Sequence, residues 1–85
     1  MSDGFEDIEF STPVDILTRA GAKVTIASAN GKNSGDSVQG ANGITLKVKD
    51  HVEDLIKNVY DMLICPGGSV NSESLGKNKF VIDML

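Results

Sequence analysis

Met62-Leu63-Ile64-Cys65 is apolar at every position and runs straight into Pro66-Gly67-Gly68. A strand with alternating polarity can leave one face in water. A strand with no polar position needs cover on both faces, which points to a parallel sheet sandwiched between helices. The flanking segments agree with that demand. Asp3-Gly4-Phe5-Glu6 has the spacing of a capping box and predicts a helix from Asp3 to about Ala20, with Gly21 at its stop. Pro13 falls inside this helix and either kinks it or, with Thr12 as cap, opens a second one. Lys23 to Ser28 is rich in β-branched residues and reads as a strand.

The polar stretch Asn30 to Gly43 reads as a loop. Gly43 to Lys49 then alternates Ile44, Leu46 and Val48 with Thr45, Lys47 and Lys49, the pattern of a half-buried strand. Asp50, with Glu53 three residues on, predicts a helix whose Val52, Leu55, Ile56 and Val59 share one face. A last helix from about Lys77 carries Phe80, Val81, Met84 and Leu85. Helices alternating with strands place the chain in the parallel α/β class. A strand is expected before the first helix, and the last helical pattern has no stop signal, so both ends read as cut.

The chain has 85 residues, enough for one small domain. A net charge of −4 argues against nucleic acid or an anionic membrane as partner. No run of apolar residues is long enough to span a membrane, and no leader pattern is present. A single cysteine excludes an internal disulfide and fits a reducing, cytoplasmic setting. One histidine and one cysteine do not suffice for a structural zinc site, and no motif calls for a cofactor.

Three places carry candidate chemistry. On a helical wheel Glu9 lies near the middle of an arc of about 140° shared with Phe5, Glu6, Phe10, Pro13, Ile16, Leu17 and Ala20, of which Glu6 is already occupied at the capping box. A carboxylate on a face that meets the sheet must be hydrogen-bonded or shifted in pKa by desolvation. The alternative is that Pro13 rotates Glu9 to the surface. Gly67 and Gly68 follow the carboxyl end of a predicted strand, where α/β proteins bind ligands. Their amides can be aimed at an oxyanion, or the loop is a tight turn and nothing more. Cys65, at the end of an apolar strand, reads as a small core residue rather than a nucleophile. The single histidine, His51, sits among charged residues beside a helix cap and reads as solvated. Tyr60 to Cys65 also resembles the acceptor strand of a bacterial receiver domain, but Cys65 stands where the acceptor aspartate would be, which removes that chemistry.

Taken together, these segments resemble the ThiJ/PfpI family, the DJ-one-like proteins that include a parkinsonism-associated deglycase. The resemblance rests on Gly4, Glu6, Asp7, Glu9, Pro13, Asp15, Leu17, Arg19, Gly21, Lys23 and Val24, on the Tyr60 to Gly68 segment, and on the helix expected after it. It implies a flavodoxin-like (class I glutamine amidotransferase-like) parallel-sheet sandwich, truncated at both ends. Residues 1–85 would be a partial domain lacking the first strand and the half that bears the nucleophile elbow. It also implies that Glu9 is the acid/base partner of a nucleophilic cysteine lying beyond this chain, and that Gly67 and Gly68 supply oxyanion amides. Cys65 matches a position that is usually aliphatic.

The implied parent is a glutathione-independent glyoxalase or protein deglycase with an oxidative-stress or chaperone role. Its substrate would be a small aldehyde or a glycated protein, and in full-length form it would be a homodimer. Without a nucleophile, whether these residues alone are an enzyme stays open. The alternative is a non-catalytic interaction fragment that binds a full-length relative or a client protein, or a ligand-binding module without chemistry. The missing strand further predicts that the isolated chain is marginally stable or aggregates.

Overall fold

A computed structural model describes residues 1–85. Helix α1 spans Asp7–Arg19, capped by Glu6, whose carboxylate accepts from the Ile8 amide. The expected cap, Asp3, is engaged elsewhere. Its carboxylate accepts from the Gln39 amide at 2.9 Å and from Asn30 Nδ2 at 3.0 Å. Gly4, at φ +82°, then turns the chain so that Phe5 lies in a parallel bridge beside Gly40. Pro13 neither breaks α1 nor starts a new helix. Its fixed φ suits the helix, and the cost is that the Glu9 carbonyl loses its helical donor. The helix ends at Ala20, and Gly21 takes the left-handed position at φ +91° that only glycine adopts freely.

Strand β1 (Ala27–Ser28) pairs in parallel with β4 (Asp50–His51), in register Ala27 with Asp50 and Ser28 with His51. Between them β2 (Ser37–Gln39) and β3 (Thr45–Lys47) form an antiparallel hairpin, with Val38 opposite Leu46. The hairpin corrects two expectations. Half of it, together with a 3-10 turn at Lys32–Ser34, lies inside the presumed loop. The alternating segment Gly43 to Lys49 pairs with that half rather than joining the parallel sheet. Asp50 and His51 are strand, so the helix expected from Asp50 shrinks to α2 (Val52–Leu55) with no side-chain cap. The last helical region is two helices, α3 (Ser69–Lys77) and α4 (Lys79–Met84). They are divided at Asn78, whose side chain accepts from the amides of Phe80 and Val81.

The largest departure concerns the two apolar strands. Of Lys23 to Ser28 only Ala27–Ser28 is strand, and Met62 to Cys65 is extended chain without a ladder. Neither Lys23–Thr25 nor Tyr60–Cys65 takes part in a backbone–backbone hydrogen bond. Met62, expected to be buried on both faces, is 67% exposed, and Ile64 is 42% exposed. A strand exists only beside a partner, and no segment lies between these two. The apolar residues therefore collect in two separate small cores. One holds Phe5, Val38 and Val48, with the Phe5 and Phe10 rings 5.2 Å apart. The other holds Val52, Leu75 and Val81. A groove of about 1040 Å³ separates them, touching Phe10 and Ile26 on one side and Val52, Leu75 and Val81 on the other.

Candidate functional site

Glu9 sits in the first turn of α1 with its side chain at the mouth of this groove, exposed rather than sealed against the sheet. Its Oε1 accepts from the Gly67 amide at 2.7 Å, across 58 residues of sequence. Glu9 is thus at the surface, as the second reading of the wheel has it, although α1 runs unbroken through Pro13, and its carboxylate is hydrogen-bonded there. With Oε1 taken by this N–H, Oε2 is the carboxyl oxygen left without a partner in the chain.

The loop is held from several directions. The Gly67 carbonyl accepts from the Glu6 amide at 2.9 Å, which fixes the loop to the start of α1. Gly68, at φ +102°, is the N-cap residue of α3, and its carbonyl accepts from Ser72 at 2.8 Å. A Cβ on Gly68 would run into the Gly4 carbonyl and the Glu6 amide, and one on Gly67 would meet the Glu9 carboxylate. At Gly68 the close approach of backbone requires a glycine, whereas at Gly67 the obstacle is the end of the Glu9 side chain, and a larger residue would displace that carboxylate. The two amides are not equivalent. That of Gly67 is spent on Glu9, whereas that of Gly68 has no acceptor within the chain and lies at the positive end of α3.

Asn71 completes the loop and was invisible to sequence reasoning. It is fully buried. Its Nδ2 donates to the Pro66 carbonyl at 2.5 Å and to the Gly67 carbonyl at 3.2 Å. Its Oδ1 accepts from the Ser2 amide at 2.7 Å and the Ser2 hydroxyl at 3.2 Å. Nothing in a local window marks it, since its partners are the chain's second residue and a loop one turn back.

Cys65 is exposed and lines the groove, which corrects its reading as a core residue. It is near the amino terminus. Burial pushes the Met1 ammonium below its usual range, and the negative charge that Cys65 can carry acts in the opposite direction. His51 is also corrected. It is buried at the entry to α2, with Nε2 3.4 Å from Asp36 Oδ1, and Nδ1 has no partner. No three metal-binding side chains converge anywhere in the chain.

Residues 1–85 match the sequence model of the DJ-1/PfpI family. The chain is 31% identical over 85 residues to protein dj-1beta of Drosophila melanogaster, covering all of this chain and 44% of that protein. It is 30% identical over 82 residues to protein/nucleic acid deglycase 2 of Escherichia coli, covering 95% of this chain and 46% of that one. The crystal structure of Drosophila DJ-1beta superposes with a TM-score of 0.90 at 30% identity, covering 99% of this chain and 44% of the other. The backbone thus follows the flavodoxin-like fold of these relatives, and it spans less than half of their length.

Proposed function

The chain belongs to the DJ-1/PfpI family, and from that premise we propose that Glu9 and the Pro66–Gly68 loop form the acid/base and oxyanion half of a centre acting on small reactive aldehydes or on glycated proteins. One of its relatives carries the name of a protein and nucleic acid deglycase. The observation that carries the reading is the 2.7 Å hydrogen bond between Glu9 and Gly67, which joins two candidates found independently in the sequence. In this reading residues 1–85 are the first part of a longer domain, and the nucleophile is a thiolate outside them. Its sulfur adds to the aldehyde carbon, and the aldehyde oxygen becomes an alkoxide. The Gly68 amide stabilises that alkoxide, and Glu9 Oε2 delivers the proton that closes the hemithioacetal. Gly67 holds the carboxyl in place rather than binding the oxyanion. Cys65 has no hydrogen-bonded base, its titratable neighbour being the amino terminus, and it takes no part in this reading.

The test is a chimera in which residues 1–85 replace the matching segment of the Drosophila relative, assayed for loss of methylglyoxal. Glu9→Gln keeps an oxygen for the Gly67 amide but removes the proton. A fall in kcat of roughly 100-fold or more is the expected result for a lost general acid. A Glu9→Gln chimera with undiminished turnover would refute the assignment. So would turnover by the 85-residue chain alone, which would return Cys65 to candidacy.

A second reading, a non-catalytic fragment that binds a relative or a client protein, draws support from the apolar side chains left in solvent. Val59 and Leu85 are 97% and 77% exposed.

A further inference from the structure

We infer that Asn42 is a site of spontaneous deamidation, where an isoaspartate forms in the turn between β2 and β3 and becomes a substrate for a repair methyltransferase that uses S-adenosylmethionine. This chemistry is independent of the aldehyde reading. The tripeptide Ala-Asn-Gly occurs twice, at Ala29-Asn30-Gly31 and at Ala41-Asn42-Gly43. A glycine leaves its own amide nitrogen unshielded, so the main chain can attack the preceding asparagine side chain. Local sequence makes the two sites equal. The fold separates them.

The Asn30 carboxamide is fully engaged. Its Oδ1 accepts from the Asp3 amide at 3.0 Å, and its Nδ2 donates to Asp3 Oδ1 at 3.0 Å and to the Ser37 carbonyl at 3.4 Å. It cannot turn toward the Gly31 nitrogen without breaking these bonds. Asn42 is exposed, and only its backbone amide is bonded, to Asp7 Oδ1 at 3.4 Å. Gly43 follows at φ +99°, with nothing within 4 Å of the place where a Cβ would stand. Its amide is held by a single 3.3 Å bond to the Gly40 carbonyl. The reaction consumes only water. The Gly43 nitrogen gives up its proton and bonds to the side-chain carbonyl carbon of Asn42. The bond from that carbon to Nδ2 breaks, and ammonia leaves with the proton. Water then opens the cyclic imide at either carbonyl, to give aspartate or isoaspartate.

The turn is also a joint. The Ala41 amide donates to the Phe5 carbonyl at 2.8 Å and the Gly40 amide to the Ile44 carbonyl at 2.7 Å, which fastens the hairpin to the start of α1. Isoaspartate lengthens the main chain inside this turn. It also leaves a free carboxylate on the carbon bearing the amide that the buried Asp7 accepts, and like charges so close repel. Modification therefore loosens the hairpin.

The chimera carrying residues 1–85 is aged in mildly alkaline buffer and mapped by mass spectrometry after trypsin, which cuts at Lys32 and parts the two sites. Isoaspartate is counted by tritiated methyl transfer to the peptide bearing Asn42. Because three hydrogen bonds must open before Asn30 reacts, Asn42 should be at least about tenfold faster in the folded protein. In guanidinium chloride those bonds are gone, and the two rates should agree within about twofold. Asn42→Gln, whose longer side chain closes the ring far more slowly, should age without the fall in urea midpoint expected of the parent. Equal rates in the folded chimera would overturn the proposal. So would an undiminished preference for Asn42 in guanidinium chloride, since the fold would then decide nothing, or aspartate formed without isoaspartate. An equal fall in midpoint for Asn42→Gln would refute the loosening of the hairpin.

Discussion

Asn71→Ala removes the side chain that ties the glycine loop to Ser2. Four hydrogen bonds disappear, two donated to the Pro66 and Gly67 carbonyls and two accepted from Ser2. A neutral hydrogen bond contributes about 1 kcal/mol net, and a buried group left without a partner costs about 1–3 kcal/mol. Ser2 and Pro66 are themselves buried, so water does not readily replace the lost amide. Gly67 is only partly buried and can be rehydrated, which trims the total. The expected loss is about 3–4 kcal/mol, a large share of the roughly 5–15 kcal/mol that holds a domain together. The measurement is the urea midpoint of the chimera with and without Asn71→Ala, at unchanged slope. Asn71→Asp should cost as much or more, because it keeps the acceptor for Ser2 but turns an anionic oxygen on two carbonyls. A loss below about 1 kcal/mol for Asn71→Ala would mean that the four bonds are replaced by solvent, and it would refute the view that this amide organises the loop.

Gly68→Ala in the same chimera should lose about 2–4 kcal/mol, because φ +102° is strained for any side chain and the added Cβ collides with the Gly4 carbonyl. An urea midpoint within error of the parent would show that the Gly4 segment yields freely. Asn78→Ala removes the cap of α4 and the bond from its Nδ2 to the Ala29 carbonyl. The expected cost is about 1–2 kcal/mol by urea unfolding, and no change would mean that α4 is held by Val81 alone.

What could be read from sequence, and what could not, divides along the range of the interactions. The body of α1 and its stop at Gly21 follow from local spacing, and so does the extended character of Thr45 to Lys47. Its start does not, since Asp3 is drawn from its local cap by Asn30 and Gln39, 27 and 36 residues away. Lys23 to Ser28 and Met62 to Cys65 have the composition of strands, but a strand is a statement about a neighbour as well as about a segment. The wheel placed Glu9 on the correct side of α1 but not its exposure, which depends on the width of the groove. The pattern at Gly67 and Gly68 was legible because glycine repeats are rare signals. The pattern at Asn71 was not, because a lone asparagine in a helix ordinarily faces water.

The groove and the candidate site are linked by one continuous series of bonds. Met1 holds Ser28's neighbours in ladder register, and the next residue, Ser2, bonds to Asn71 through its amide and its hydroxyl. Asn71 fixes the Pro66 and Gly67 carbonyls, and the Gly67 amide fixes Glu9. Successive residues of a strand face opposite sides, so a slip of one position at Met1 would turn Ser2 away from Asn71.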